Sequence, residues 1–91
     1  MSQIAKLLEK LKRKPTPSDI PFSDVDRLLR AYGFVQRQPA GGSSHFTYTH
    51  PELTDFILTI ARHGGKVKKG YVRKTVEAIE RVRELYGGDL E

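Results

Sequence analysis

The apolar residues of this chain change their period twice, and no other feature narrows the fold as far. Val25, Leu28, Leu29 and Tyr32 recur at the spacing of a helix with one buried stripe. Between residues 34 and 61 the period drops to two. Phe46 and Tyr48 fall on one side of a strand, His45, Thr47 and Thr49 fall on the other, and Phe56, Leu58 and Ile60 alternate in the same way. Past residue 70 the helical spacing returns in Val72, Val76, Ile79, Val82 and Tyr86. Glycines punctuate these changes: Gly33 offers a left-handed stop, Gly64 and Gly65 precede the last helix, and Gly87 and Gly88 end it. The pattern predicts a helix, three strands and a helix, with strands at 34–38, 44–49 and 56–61 and turns at 39–43 and 51–55. Ser23 is the expected cap of the first of these helices, with Asp26 at the reciprocal capping position and Phe22 stapled onto the first turn.

Three short strands joined by turns form an antiparallel meander whose apolar side must be covered, and two amphipathic helices can cover it from one face. The expected class is therefore α+β with α-β-β-β-α order, similar to the double-stranded-RNA-binding domain. The aromatic side of the second strand is the side to bury, which leaves His45 accessible. Ahead of this unit, Ile4, Leu7, Leu8 and Leu11 mark a further N-terminal helix capped by Ser2, and Pro15, Pro17 and Pro21 make 15–21 an extended linker. The chain reads as an accessory helix and linker over 1–21 and a main domain over 22–91. Its 91 residues suffice for one such core and not for two.

Composition removes several classes. With no cysteine, disulfides and thiolate metal sites are excluded, and packing and hydrogen bonds alone must hold the fold. No apolar run approaches the roughly 20 residues of a membrane span, and the N-terminus has no apolar signal core, so the expected location is cytoplasmic with no membrane partner. The net charge is +5, and its placement is more informative than its size. Between Phe56 and Val76 there is no acidic residue, whereas Arg62, Lys66, Lys68, Lys69, Arg73 and Lys74 all fall there. A second cluster, Lys6, Lys10, Lys12, Arg13 and Lys14, is interrupted by Glu9 and reads as a solvated face.

The residues with chemistry gather around two turns. In Gly41-Gly42-Ser43-Ser44-His45 the glycines let a phosphate approach the backbone and the serines can donate to its oxygens. A histidine beside them, with an ordinary pKa near ~6.5, suits proton exchange with a ribose 2′-hydroxyl or a leaving 5′-oxygen. On residue pattern alone the same segment is also a plain hairpin turn carrying an exposed histidine. The second turn precedes the last helix, where Arg62, His63, Lys66, Lys68, Lys69, Arg73 and Lys74 surround unpaired backbone N–H groups that favour an anion. His50, before Pro51, reads as a residue closing a turn. Being five apart in a strand, His45 and His50 point to opposite faces, and no spacing matches a zinc pattern, so neither a metal nor another cofactor is expected.

In chain order stand Gly33-Phe34, Gly42-Ser43-Ser44-His45, Thr49-His50-Pro51, Arg62-His63-Gly64 and Lys68-Lys69-Gly70-Tyr71-Val72-Arg73-Lys74. This ordered set, within residues 22–82, resembles the HicA family of bacterial and archaeal toxins. The resemblance implies a ribosome-independent mRNA interferase, an endoribonuclease of double-stranded-RNA-binding-domain fold, neutralised by a HicB-type antitoxin. The family's essential histidine follows the glycine-serine motif and maps onto His45. RNA phosphates are then expected at Gly42, Ser43, Ser44, Arg62, His63, Lys66, Lys68, Lys69, Arg73 and Lys74. Many members carry two adjacent histidines where this chain has Ser44-His45, and residues 1–21 lie outside the resemblance. The same fold and basic helix start also suit a non-catalytic double-stranded-RNA-binding module.

Overall fold

The computed structural model describes residues 3–37 and 45–86. Helix α1 (Gln3–Leu11) turns its apolar stripe inward and buries Leu8 and Leu11. A two-residue strand, β1 (Ile20–Pro21), runs straight into helix α2 (Phe22–Ala31), which buries Phe22, Val25, Leu28 and Leu29. Gly33 then turns the chain at φ 92°, and the Phe34 N–H reaches back to the Leu29 carbonyl at 3.0 Å. Strands β2 (Val35–Arg37), β3 (His45–His50) and β4 (Leu53–Ala61) follow, then a short β5 (Lys66–Val67) and the long helix α3 (Lys69–Tyr86).

The main sheet is an antiparallel meander in the order β2-β3-β4, so the α+β expectation holds. Its register pairs Phe46 with Ile60 and Tyr48 with Leu58, and these residues are buried beneath the helices. The alternate positions, where Thr47 faces Thr59 and Thr49 faces Ile57, make up the side away from the core. One hydrophobic cluster runs through the molecule, joining Tyr48 and Ile60 of the sheet to Leu28 and Leu29 of α2, Ile79 and Val82 of α3, and Leu8 and Leu11 of α1. Helix α1 thus packs on α2 and α3. Surface pairs from Lys10 to Asp24 (3.8 Å) and from Lys12 to Glu80 (3.5 Å) flank this contact, but exposed pairs contribute little beside two buried leucines at about 1.5–3 kcal/mol each. Among the described residues no helix is long and apolar enough to cross a membrane.

Several local expectations are corrected. Ser23 does not cap α2: the helix begins at Phe22 with Pro21 in the cap position and no side-chain cap. Long-range pairing is the cause. β1 pairs with β5, Ile20 opposite Val67, and the Phe22 N–H is taken by the Gly65 carbonyl at 2.8 Å. Asp26 is therefore released from capping and faces the sheet. Strand β4 begins at Leu53 rather than 56, because a register shift at Thr49/His50 lets Leu53 pair with His50 and shortens the turn. On α3 the buried face is Val72, Thr75, Ala78, Ile79 and Val82, while Tyr86 is exposed because no described element covers the last turn. The Ser2 cap and the turn at 39–43 lie outside the described residues.

Candidate functional site

The alternation of β3 divides the histidines. Phe46, Tyr48 and His50 are buried, and His45 is exposed at the start of the strand, opposite Ala61 of β4. His50 is fully occupied in the core. Its Nε2–H donates to the Tyr32 carbonyl at 2.9 Å, its Nδ1 accepts the Glu52 backbone N–H at 3.0 Å, and its ring meets the edge of Phe34 with centroids 4.9 Å apart. With both nitrogens used, one as donor and one as acceptor, His50 is held as the neutral Nε2–H tautomer. It clasps the end of α2 to the β3–β4 turn and cannot reach a substrate.

His63 occupies a different setting. It exchanges reciprocal backbone hydrogen bonds with Lys66 at 2.8 and 2.9 Å, closing a hairpin whose two central residues, Gly64 and Gly65, have φ of 56° and 79°. Such a turn needs positive φ at both positions, which glycine supplies without strain. The hairpin leads through β5 to Lys68, whose carbonyl accepts the N–H groups of Tyr71 and Val72 at the start of α3. Exposed His63, Lys66, Lys68 and Lys69 therefore crowd one connection between β4 and α3. This connection starts one residue after Ala61, the register partner of His45.

Not every expected phosphate contact shares that place. Arg62 follows Ala61, so strand alternation sends it to the aromatic side, away from the face of His45. There its guanidinium lies 5.5 Å from the centre of the Phe22 ring and 5.1 Å from that of Phe46. Two aromatic faces hold it without consuming its hydrogen-bond donors. Arg73 and Lys74 diverge on α3. Arg73 Nε donates to Thr16 Oγ1 at 3.2 Å, toward the chain that follows α1, and Lys74 lies over the Tyr71 ring at 5.7 Å. Gly42, Ser43 and Ser44 lie outside the described residues.

Beneath the sheet is a polar cluster that local sequence rules did not reveal. Tyr48 donates its hydroxyl to Asp26 at 2.7 Å, Gln36 donates to both Asp26 and Tyr48 at 3.1 Å, and Arg30 Nε reaches the same carboxylate at 2.9 Å. Burial raises the Tyr48 pKa well above its ordinary value. The Gln36 hydrogen bond opposes that shift, and the Asp26 bond and charge add to it. The cluster ties α2 to β2 and β3, and so fixes the strand that carries His45. Inward alternation of Gln36 and Tyr48 was its one visible signal.

A basic α+β domain with an exposed strand histidine and a cationic hairpin leading into a helix is the class that this fold and site define. The family model described as the HicA toxin of bacterial toxin-antitoxin systems matches residues 22–80. The chain belongs to the HicA toxin family and is thereby the toxin component of a toxin–antitoxin system, with a HicB-type antitoxin as the implied partner. Comparison with curated proteins and with solved structures gave no match. Helix α1 and the segment after it precede the matched residues.

Proposed function

We propose that this toxin is an endoribonuclease that cuts single-stranded RNA, mRNA foremost, without a metal, using His45 as the proton-transfer group. The observation that carries this reading is the division of the histidines: His50 has both ring nitrogens committed in the core, whereas His45 is exposed beside the cationic connection. A neutral imidazole at that place can take the 2′-hydroxyl proton as the oxygen attacks the phosphorus. The resulting imidazolium, or a second group, protonates the departing 5′-oxygen. His63 is the second exposed histidine and the candidate for the complementary step.

Lys66, Lys68 and Lys69 gather phosphates at the start of α3 and offset the negative charge that grows on the phosphoryl oxygens. Arg62, held by Phe22 and Phe46, serves a neighbouring phosphate on the other side of the sheet edge. Gly42, Ser43 and Ser44 are assigned to the scissile phosphate by their adjacency to His45 in sequence. The cytoplasm, where mRNA and antitoxin meet, is the proposed location.

Induced expression of the wild-type chain and of His45→Ala in a bacterial host tests the reading, with transcript integrity followed directly. The wild type should arrest growth and degrade transcripts, co-expressed HicB-type antitoxin should relieve both, and the variant should do neither while accumulating as folded protein. Equal toxicity of the variant would refute the role of His45. Growth arrest with intact transcripts would refute the ribonuclease.

A further inference from the structure

The segment ahead of the family match builds something the matched residues lack. Leu11 anchors the end of α1 in the core, and the chain leaving it runs beside α3. Between them lies a groove of about 540 Å³, lined by Lys12, Arg13, Lys14 and Thr16 on one side and by Arg73 and Glu77 on the other. Four cations thus face one carboxylate of the lining. Lys12 is drawn toward Glu80 at 3.5 Å, but Arg13 and Lys14 have no carboxylate within ion-pair distance among the described residues. Arg73 is steadied through Nε by Thr16 and lines the groove, and that bond does not use the terminal nitrogens of its guanidinium.

The groove lies one helical turn along α3 from the surface assigned to RNA. Lys69 and Arg73 are one helical turn apart on α3, so they share a flank, and Arg73 lines the groove. The cations then form a track from the hairpin, past Lys69 and Arg73, to Arg13 and Lys14. A track of this kind fits the evenly repeated charge of a nucleic-acid backbone better than it fits a peptide, whose carboxylates would have to recur in step with it.

We propose that the groove is a second RNA-phosphate site, supplied by the N-terminal segment, which extends the path of the bound strand beyond the hairpin. This rests on RNA being the ligand of the toxin. It gives residues 12–16 a function in substrate binding, and it makes the toxin's grip on RNA dependent on strand length.

Fluorescence anisotropy with a labelled 2′-O-methyl RNA of roughly 12 nucleotides, which lacks the attacking hydroxyl, measures affinity against salt, and each phosphate contact should add about 0.7 to the log–log slope. Arg13→Gln with Lys14→Gln should lower that slope by about 1.4, so the advantage of the wild type should shrink roughly sevenfold between about 50 and 200 mM salt. On a four-nucleotide RNA, too short to span both places, the two proteins should bind alike. Glu77→Gln should tighten binding of the longer RNA, a gain that damage to the fold would not produce. An unchanged slope in the double variant, with the wild type binding RNA, overturns the groove and leaves the proposed function standing. Failure of the wild type to bind RNA overturns both. Loss of binding to a labelled polyglutamate with the RNA slope unchanged would assign the groove to an acidic protein and likewise overturn the proposal.

Discussion

Replacing Gly33 by alanine probes how the buried histidine and the end of α2 are held together. Gly33 lies at φ 92°, and a Cβ built there would sit 2.9 Å from Nε2 of His50. That nitrogen is the one that donates to the Tyr32 carbonyl. Two costs follow. A left-handed backbone costs an L-residue about 1–2 kcal/mol, and displacing the ring leaves a buried hydrogen bond unmade at about 1–3 kcal/mol. The sum, about 2–5 kcal/mol, corresponds to a fall in Tm of at least ~8 °C at about 4–8 °C per kcal/mol for a domain of this size. Thermal unfolding followed by circular dichroism reads it. The second cost should vanish in a His50→Ala background, where the Cβ meets no ring, so Gly33→Ala should then lose only about 1–2 kcal/mol. A loss below about 1 kcal/mol in the wild-type background, or full additivity of the two substitutions, would refute the structural role given to His50.

Leu11→Ala, although outside the family-matched segment, should destabilise the whole domain by about 2–5 kcal/mol, seen as a lower urea midpoint of a single transition. Tyr48→Phe should lose about 0.5–1.5 kcal/mol, the net worth of one hydrogen bond, because half-buried Asp26 keeps its donors on Gln36 and Arg30. Because the fold raises the Tyr48 pKa, its contribution is complete below the unfolded value of about 10 and declines as pH rises beyond it. The variant should lack that part of the alkaline loss in pH-dependent unfolding. Chelators should leave RNA cleavage unchanged, since His45 and His50 lie on opposite faces of β3; activity abolished by EDTA and restored by zinc or magnesium would contradict this.

What the sequence makes legible is what repeats. The stripe of α2, the stop at Gly33 and the alternation of β3 are local patterns, and from them came both the meander and the exposure of His45. What it hides depends on residues far apart in the chain. Strands of two residues, such as Ile20–Pro21 and Lys66–Val67, have no period to read, yet their pairing decides where α2 begins. Asp26 fits a capping rule locally but is claimed by Tyr48, 22 residues away. His50 looks like a turn residue until the Tyr32 carbonyl, 18 residues earlier, is seen to accept its hydrogen bond. The basic set at 62–74 is legible as charge but not as geometry, since Arg62 turns onto two aromatic rings and Arg73 turns toward Thr16.

The most direct test of the central claim separates binding from chemistry at His45. Cleavage of a single-stranded RNA is followed for the wild type and His45→Ala, with both proteins held at saturation as judged on the uncleavable 2′-O-methyl analogue. Positioned proton transfer contributes about 10²–10⁴-fold, so the variant should bind the analogue as the wild type does and cleave RNA at least about a hundredfold more slowly. Cleavage by the variant at the wild-type rate, with binding intact, would contradict the account and move the chemistry elsewhere on the molecule.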